Sequence, residues 1–176
     1  MALIGAATPA TSMTPVTGTA APVGSPVPES GRTDPDLTAL RHIWERQAEA
    51  WARGDGNAYA MNYTPDADLV NIKGEHLHSR PVIATQIQRY FNNQLKNTHL
   101  LRLEEKVRLI SPTMAIIVRK DCVLYGAEKS CRPDTLSLNT SVAVKHLGKW
   151  MITSFHNTLV MPQDDQRPPF RISSTS

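Results

Sequence analysis

The stretch that decides the fold reads Trp150-Met151-Ile152-Thr153-Ser154-Phe155-His156-Asn157-Thr158. Its apolar residues occupy both phases of the two-residue repeat of a strand, so we expect both faces of this strand to be covered. One face would meet the helices of the same chain and the other a second subunit.

Upstream of this strand, helical patterns precede strand patterns. A first helix is predicted from Asp34-Pro35 to Gly54, a short second helix from Asp55 to Tyr63, and a third from Ser79. Strands are predicted over residues 66–72, 75–78, 98–110, 113–125, 135–147 and 149–160. This order predicts an α+β fold, with the helices packed on one face of a curved antiparallel sheet.

The two ends of the chain differ in composition from its middle. Residues 1–33 are almost entirely Ala, Thr, Pro, Ser, Gly and Val, which predicts a disordered tail. The domain is predicted over 34–161, with an irregular tail over 162–176. The start has no signal-peptide pattern, and no segment has the roughly 20 apolar residues of a membrane helix. We therefore expect a cytoplasmic protein without a membrane partner.

Charge and cysteine content restrict the function further. A net charge of +3 is too small a surplus to indicate nucleic-acid binding. Cys122 and Cys131 flank a predicted hairpin loop. Without a secretory signal we expect both thiols to stay reduced, with Cys122 a small buried apolar residue. The alternative is a disulfide formed in an oxidising compartment.

A two-residue turn at Leu147-Gly148 would set the register of the last two strands. Counting back from it puts on one face Leu136, Leu138, Thr140, Val142, Val144, Met151, Thr153, Phe155, Asn157 and Leu159. The opposite face would carry Ser137, Asn139, Ser141, Ala143, Lys145, Trp150, Ile152, Ser154, His156 and Thr158. The first, more apolar set is expected to face the helices. The second is expected to form a partly buried subunit interface at Trp150, Ile152 and His156.

Polar residues interrupt the wall that is predicted to face the helices. Thr140, Thr153 and Asn157 would each need a partner there, because an unpaired buried polar group costs a few kcal/mol. A ligand pocket would supply partners, and backbone groups of an ordinary core are the alternative. Further pocket residues would be Trp51, Tyr59, Tyr63 and Phe155, although aromatic residues at helical spacing also suit a core.

Three motifs, in this order, resemble a known superfamily. They are Trp51-Ala52-Arg53-Gly54-Asp55, then Asp66-Ala67-Asp68-Leu69-Val70-Asn71, then Gly148-Lys149-Trp150 leading into Phe155-His156-Asn157-Thr158. Over about residues 36 to 160 the chain is similar to the nuclear transport factor 2-like superfamily. Within its SnoaL-like branch it resembles the SgcJ/EcaC group, whose members occur among enediyne biosynthesis genes.

The resemblance implies a cone-shaped, cystatin-like roll with a ligand cavity at its wide end and homodimers formed through the sheet. It also implies a role in antibiotic biosynthesis, on an enediyne or related polyketide, with a small hydrophobic ligand or polyketide intermediate as partner. The sequence has no Gly-rich phosphate fingerprint and no residue set for a flavin or nicotinamide, so we predict no cofactor.

Asp66 and Asp68 are the nearest candidates for acid–base chemistry, since they lie two apart on one predicted strand. If they were buried together, one pKa would rise, and Asp68 could act as the base while Asn157 orients the substrate. Alternatively, both carboxylates cap local backbone or stay solvated.

His76 and His78 also share a face of a short strand, and a His-x-His pair can begin a metal site. Spacing indicates no third ligand, so we predict no metal and place both histidines at the rim of the pocket, where they could touch a ligand.

These observations favour a small-molecule pocket protein, which as an enzyme would perform cofactor-free acid–base chemistry. One alternative is a non-catalytic carrier of a hydrophobic polyene. Another is a self-association domain whose cavity is incidental.

Overall fold

The computed structural model describes residues 34–161. Its helices are α1 (Pro35–Ala52), α2 (Gly56–Ala60) and α3 (Arg80–Asn92). Its strands are β1 (Tyr63–Val70), β2 (His76–His78), β3 (Thr98–Ser111), β4 (Met114–Tyr125), β5 (Leu136–His146) and β6 (Lys149–Leu159). The predicted tails, over 1–33 and 162–176, lie outside the described residues.

The first two helices begin where their capping residues predict. The Asp34 side chain accepts a hydrogen bond from the Asp36 backbone N–H at 2.9 Å, and Pro35 occupies the first turn of α1. Asp55 caps α2 in the same way, through the N–H of Ala58 at 2.8 Å. The second helix ends at Ala60 and not at Tyr63 as predicted, because Tyr63 already pairs with β6 as the first residue of β1.

The six strands form one sheet in the order β2-β1-β6-β5-β4-β3. The α+β class is confirmed, and the helices pack on one face of the sheet, which we call the inner face. The expectation of a wholly antiparallel sheet is wrong for one pair, since β1 runs parallel to β6. Strands β3 to β6 follow one another in the chain and pair antiparallel, whereas β6 pairs with the distant strand β1 in the parallel direction.

Close packing of the helices depends on Gly56, the first residue of α2. A Cβ added there would lie 2.7 Å from the carbonyl oxygen of Ala84 in α3. Only glycine allows the two helices to approach this closely. The apolar core beneath the helices includes Leu40, Ile43, Tyr63, Ile83, Ile117 and Ile152.

The register of β5 and β6 begins as predicted and then shifts. Leu147 and Gly148 both have positive φ, as expected for a two-residue hairpin turn. From this turn back to the pair of Ala143 and Ile152, the two strands pair in the predicted register. Val142 then pairs with Ser154 instead of Thr153. Thr153 is therefore the extra residue of a β-bulge, which reverses the phase of the rest of β6.

The predicted assignment of faces is wrong for β5 and for the start of β6, although the pairing next to the turn is as predicted. The inner face carries the buried residues Ser137, Asn139, Ser141, Ala143, Trp150 and Ile152. Leu138, Thr140, Val142 and Val144 lie on the outer face, exposed or half-buried. Trp150 and Ile152 belong to the core and not to an outer interface. The apolar content misled the prediction because the outer face of β5 is more apolar than its inner face.

The two cysteines form a disulfide, so the expectation of reduced thiols is wrong. Cys122 and Cys131 are joined across a separation of nine residues, with their Cα atoms 5.7 Å apart. Cys122 is fully buried, as expected. Disulfides persist in oxidising compartments, so this bond weighs against the predicted cytoplasmic location. The location itself stays a prediction. None of the helices in residues 34–161 has the length and apolar character needed to cross a membrane.

Candidate functional site

A line of polar residues crosses the inner face of the sheet. Glu105, Arg119, Asn139 and Asn157 occupy neighbouring positions on β3, β4, β5 and β6. We call these four residues the polar row. On one side of it the neighbouring positions carry Val107, Ile117, Ser141 and Phe155, and on the other Arg102, Asp121, Ser137 and Leu159. The inner face is therefore apolar toward one end and polar toward the other.

Arg119 is the centre of the polar row and is only 2% exposed. Its Nε donates to Glu105 Oε2 at 2.6 Å, and its Nη1 donates to Gln47 Oε1 at 3.4 Å. Glu105 also accepts a hydrogen bond from Arg102 Nη1 at 3.1 Å. Removing two charges from water costs several kcal/mol per ion, so such a pair persists only when its geometry and further hydrogen bonds compensate.

Two tyrosines continue this network toward the helices. Gln47 Nε2 donates to the Tyr63 hydroxyl at 3.2 Å, and that hydroxyl donates to the Tyr59 hydroxyl at 3.3 Å. Burial raises the pKa of Tyr59 to about 12 and that of Tyr63 well above its ordinary value. Both hydroxyls are therefore protonated at neutral pH and act as neutral hydrogen-bonding groups.

Asp121 lies beside the polar row on β4. Its two carboxylate oxygens accept hydrogen bonds from Ser137 Oγ at 2.7 Å and from Asn139 Nδ2 at 3.0 Å. Burial raises the pKa of Asp121, although both hydrogen bonds act in the opposite direction. A buried carboxyl whose pKa is raised holds its proton more strongly than a solvated one, which makes it a candidate for proton transfer.

Four buried polar atoms on this face have no partner among the described residues. They are Arg119 Nη2, Asn139 Oδ1, Ser141 Oγ and Asn157 Oδ1. Three belong to the polar row, and the fourth lies in the neighbouring position on β5. An unsatisfied buried group costs about 1–3 kcal/mol, so native proteins pair such atoms with water or a ligand.

The predicted pocket residues fall into two groups. Asn157 and Phe155 lie on the inner face as expected, and Tyr59 and Tyr63 are buried beside them, with the rings of Tyr63 and Phe155 6.4 Å apart. Thr140 is exposed on the outer face, so its predicted place in the pocket wall is wrong.

Trp51 and Thr153 lie apart from the polar row. Trp51 packs against Tyr59 and Phe91, with ring centroids 5.9 and 5.2 Å away, and its Nε1 donates to Thr98 Oγ1 at 2.9 Å. Thr153 lies in the bulge, with its Oγ1 3.4 Å from that of Thr64.

Asp68 does not enter the inner face. It lies at the outer edge of the sheet, where His76 Nε2 and His78 Nδ1 approach its Oδ1 at 2.7 and 2.9 Å. The hydrogen bonds from His78 and His76 lower the pKa of Asp68, so the raised pKa that joint burial with Asp66 would have caused does not arise. The alternative holds for Asp68, whose side chain stays about half exposed. His156 lies on the outer face, where it pairs with Thr140.

Two clefts also lie on the helical side of the domain. The larger, of about 380 Å³, lies between α2 and α3 and is lined by Asn57, Gln88 and Asn92 among others. The smaller, of about 240 Å³, lies beside Trp51, Phe91 and Lys96. Neither contains a residue of the polar row.

Sequence reasoning missed Glu105, Arg119, Asp121 and Asn139. A signal was present in β4, where Arg119 and Asp121 follow Ala115 and Ile117 at intervals of two residues. This spacing puts both charges in the buried phase of the strand. Charged residues that continue a buried phase indicate an internal ion pair or a binding site.

Comparison with solved structures supports the architecture. A domain of unknown function with a cystatin-like fold from Nostoc punctiforme PCC 73102 is 27% identical, with a TM-score of 0.70, over 77% of this chain and 83% of that chain. An NTF2-like protein with a cystatin-like fold from Novosphingobium aromaticivorans is 15% identical, with a TM-score of 0.62, over 74% and 86% of the two chains.

A candidate scytalone dehydratase from Novosphingobium aromaticivorans DSM 12444 shares 13% identity, with a TM-score of 0.59, over 72% of this chain and 85% of that chain. At these identities the likeness of the last two structures concerns the fold alone. No curated protein matches the sequence significantly.

A family profile gives the more specific result. The profile of the calcium/calmodulin dependent protein kinase II association domain matches residues 37–160, which span α1 to β6. The match covers more than half of the chain and includes every residue of the polar row. The chain therefore belongs to the calcium/calmodulin dependent protein kinase II association domain family.

Proposed function

We propose that this domain is a self-associating module that binds a small polar acid at the polar row. The observation that carries the proposal is the set of four partnerless atoms on the inner face: Arg119 Nη2, Asn139 Oδ1, Ser141 Oγ and Asn157 Oδ1. They lie at neighbouring positions on β4, β5 and β6, so a small molecule bound at one of them would also be close to the others.

The chemistry of these atoms defines the ligand class. Arg119 Nη2 is a donor that requires an acceptor, and a carboxylate oxygen is its strongest partner. The amide oxygens of Asn139 and Asn157 require donors, and Ser141 can supply either role. A ligand that combines a carboxylate with a hydroxyl or protonated amine meets these needs. A purely hydrophobic polyene does not.

The charges around the polar row favour an anionic group. Arg102 and Arg119 balance Glu105 and Asp121 when all four groups are ionised. Burial raises the pKa of Asp121, so uptake of a proton by this carboxyl when a ligand binds would leave one unbalanced positive charge. A bound carboxylate would then restore neutrality in a site where an unpaired charge is costly.

Self-association is proposed through the outer face of the sheet. Leu138 and Met114 are 43% and 42% exposed there. Val142 and Val118 lie half-buried on the same face, on strands β5 and β4. Apolar residues left exposed or half-buried on one face of a sheet favour a partner subunit, and the family that the chain belongs to is described by its association. The sequence resemblance also implied a homodimer through the sheet, but two of the interface residues expected for it, Trp150 and Ile152, lie in the core.

Asp121 favours a second candidate function, cofactor-free acid–base catalysis. Its buried carboxyl adjoins the polar row, where it could accept or donate a proton while Asn157 orients a substrate. A substrate from enediyne or other polyketide biosynthesis, as suggested by the sequence resemblance, would have the hydroxyl and carbonyl groups required. The resemblance to a candidate scytalone dehydratase concerns the fold alone.

Ligand binding is tested by thermal unfolding of the full chain with a panel of small hydroxy acids, amino acids and aromatic hydroxy acids. The uncharged amide of each acid is the matched probe for the role of Arg119. Two variants separate the faces of β6: Asn157→Leu changes the polar row, and Thr158→Val changes the adjacent outer position. We expect at least one acid to raise the Tm of the wild type and of T158V but not of N157L.

The amides should raise the Tm less than the acids do, because they lack the charge that Arg119 binds. The proposal fails if no member of the panel stabilises the wild type, or if N157L responds as strongly as T158V. An acid that is stabilising and is also recovered chemically altered would favour the catalytic candidate. Sedimentation equilibrium of Leu138→Asp tests association separately, since this outer-face variant should be monomeric and still respond to the acid.

A further inference from the structure

The outer edge of the sheet carries a second cluster, which the proposed function does not use. His76 and His78 occupy β2, the edge strand, and both are exposed, while Leu77 between them is buried. Asp68 lies on the adjacent strand β1, with its Cα directly opposite His78. Strand alternation and antiparallel pairing therefore direct all three side chains to the same side of the sheet edge.

The three side chains converge on one point. His76 Nε2 lies 2.7 Å and His78 Nδ1 2.9 Å from the same carboxylate oxygen, Asp68 Oδ1. One ligand atom from each residue lies within 4.8 Å of the other two. Spacing along the sequence could not indicate Asp68 as a third ligand beside the two histidines. Asp68 precedes His76 by eight residues, and only the pairing of β1 with β2 brings the two side chains together.

We propose that Asp68, His76 and His78 form a binding site for a divalent transition metal, with Zn²⁺ as the expected ion. Two imidazole nitrogens and one carboxylate oxygen form a donor set that zinc accepts, with a fourth position left for water or another ligand. Mg²⁺ and Ca²⁺ prefer sites built from oxygen and are not expected to compete.

The geometry allows a metal to enter with small movements. Zinc bonds of about 2.0–2.2 Å in a tetrahedral site place the ligand atoms roughly 3.3–3.5 Å apart. The two histidine contacts to Asp68, at 2.7 and 2.9 Å, would have to lengthen by about 0.4–0.8 Å to reach this separation. The side chains of Asp68, His76 and His78 are 48%, 57% and 65% exposed, so they can make this adjustment without disturbing the core.

The cluster of Asp68, His76 and His78 is not explained by a contribution to the stability of the fold. Exposed ion pairs contribute little to stability, and neither histidine is held by burial. His42 and Glu45 on α1 form an exposed pair of the ordinary kind, 2.6 Å apart with side chains 54% and 48% exposed. The edge cluster differs from that pair in having a second imidazole on the same carboxylate, which is the feature that a metal requires.

The site lies outside the inner face, so it does not depend on the proposed ligand at the polar row. The test is calorimetric titration of the full chain with Zn²⁺, followed by Co²⁺ titration monitored by visible absorption. The variants are Asp68→Asn, His76→Gln and His78→Gln, and His42→Gln is the matched control. Circular dichroism of each variant establishes that the fold is retained.

We expect one Zn²⁺ per chain, with binding to the wild type and H42Q equal within error. Loss of a residue that hydrogen-bonds to a metal ligand lowers metal affinity about 10–100-fold. D68N, H76Q and H78Q each lose a ligand itself, so their Zn²⁺ affinity should fall at least as much. Bound Co²⁺ should show the intense visible bands of low coordination. The proposal is overturned if the wild type binds no Zn²⁺, if H42Q weakens binding as much as H78Q does, or if excess Mg²⁺ displaces the ion.

Discussion

The inner and outer faces of this sheet carry the same electrostatic arrangement in two environments. On the inner face, Glu105 accepts hydrogen bonds from two basic side chains, Arg102 and Arg119. At the outer edge, Asp68 is approached by two others, His76 and His78. The Glu105 side chain is 9% exposed and that of Asp68 is 48% exposed.

The comparison teaches that burial, more than contact distance, decides what such a cluster does. Water screens the outer cluster, so its contacts add little to stability, and its groups remain free to bind an ion. The inner cluster has lost its hydration, so removal of one member leaves another charge unpaired in the core.

Arg119→Ala should reduce the free energy of unfolding by about 3–5 kcal/mol, because it leaves Glu105 buried without its main partner. Urea denaturation measures the loss. The control is Lys120→Ala on the same strand, whose Nζ lies 3.7 Å from the exposed Glu104, where we expect at most about 1 kcal/mol.

A double variant sharpens the same test. Glu105→Leu with Arg119→Met should recover most of the stability lost in R119A, since apolar residues of similar size often replace a buried ion pair without cost. Equal losses in R119A and K120A would contradict the role that we assign to burial.

The disulfide is expected to have the next largest effect. Cys131→Ser opens a loop of about ten residues, and the entropy of the unfolded chain should then reduce stability by roughly 2–3 kcal/mol. Denaturation of the wild type with and without a reductant provides the comparison, and reductant should leave C131S unchanged. A wild type insensitive to reductant would argue against the disulfide in solution.

Asp121 should make the free energy of unfolding depend on pH, with a smaller effect than the two changes above. Its folded pKa is raised above the unfolded value near 3.8, so its contribution to stability is complete below that pH and is lost as pH rises through the folded pKa. Asp121→Asn should remove this decline. The measurement is urea denaturation of both proteins between pH 3 and pH 8. Parallel stability curves would show that the Asp121 pKa is not raised.

Asp68→Asn should have the smallest effect on folding. Its partners are exposed, so we expect no measurable shift in the midpoint of urea denaturation in metal-free buffer. The same variant should lose Zn²⁺ binding. A large loss of stability without metal would show that the outer cluster has a structural role, and would remove the distinction between the two faces.

Much of the fold could be predicted from local patterns. Asp34 and Asp55 cap helices where their sequence context predicts, and Leu147-Gly148 forms the predicted turn. Such features depend on neighbouring residues, which sequence patterns record well. The family resemblance indicated the cystatin-like architecture, and the structural comparisons support it.

The site was predicted poorly because it depends on long-range pairing. The bulge at Thr153 reverses the phase of β6, and a count from the turn cannot detect it. The rule that apolar residues face the core also failed in β5, where Ser137, Asn139 and Ser141 are buried and Leu138 is exposed. Buried polar residues paired across strands leave little signal in a single sequence.

A crystal structure of the chain soaked with the acid that raises its Tm most would show directly where the ligand binds. We expect a bound molecule on the inner face, with an oxygen within hydrogen-bond distance of Arg119 Nη2 and a donor facing Asn139 or Asn157. A polar row occupied only by ordered water, with the acid bound elsewhere, would contradict the claim that this row is the ligand site.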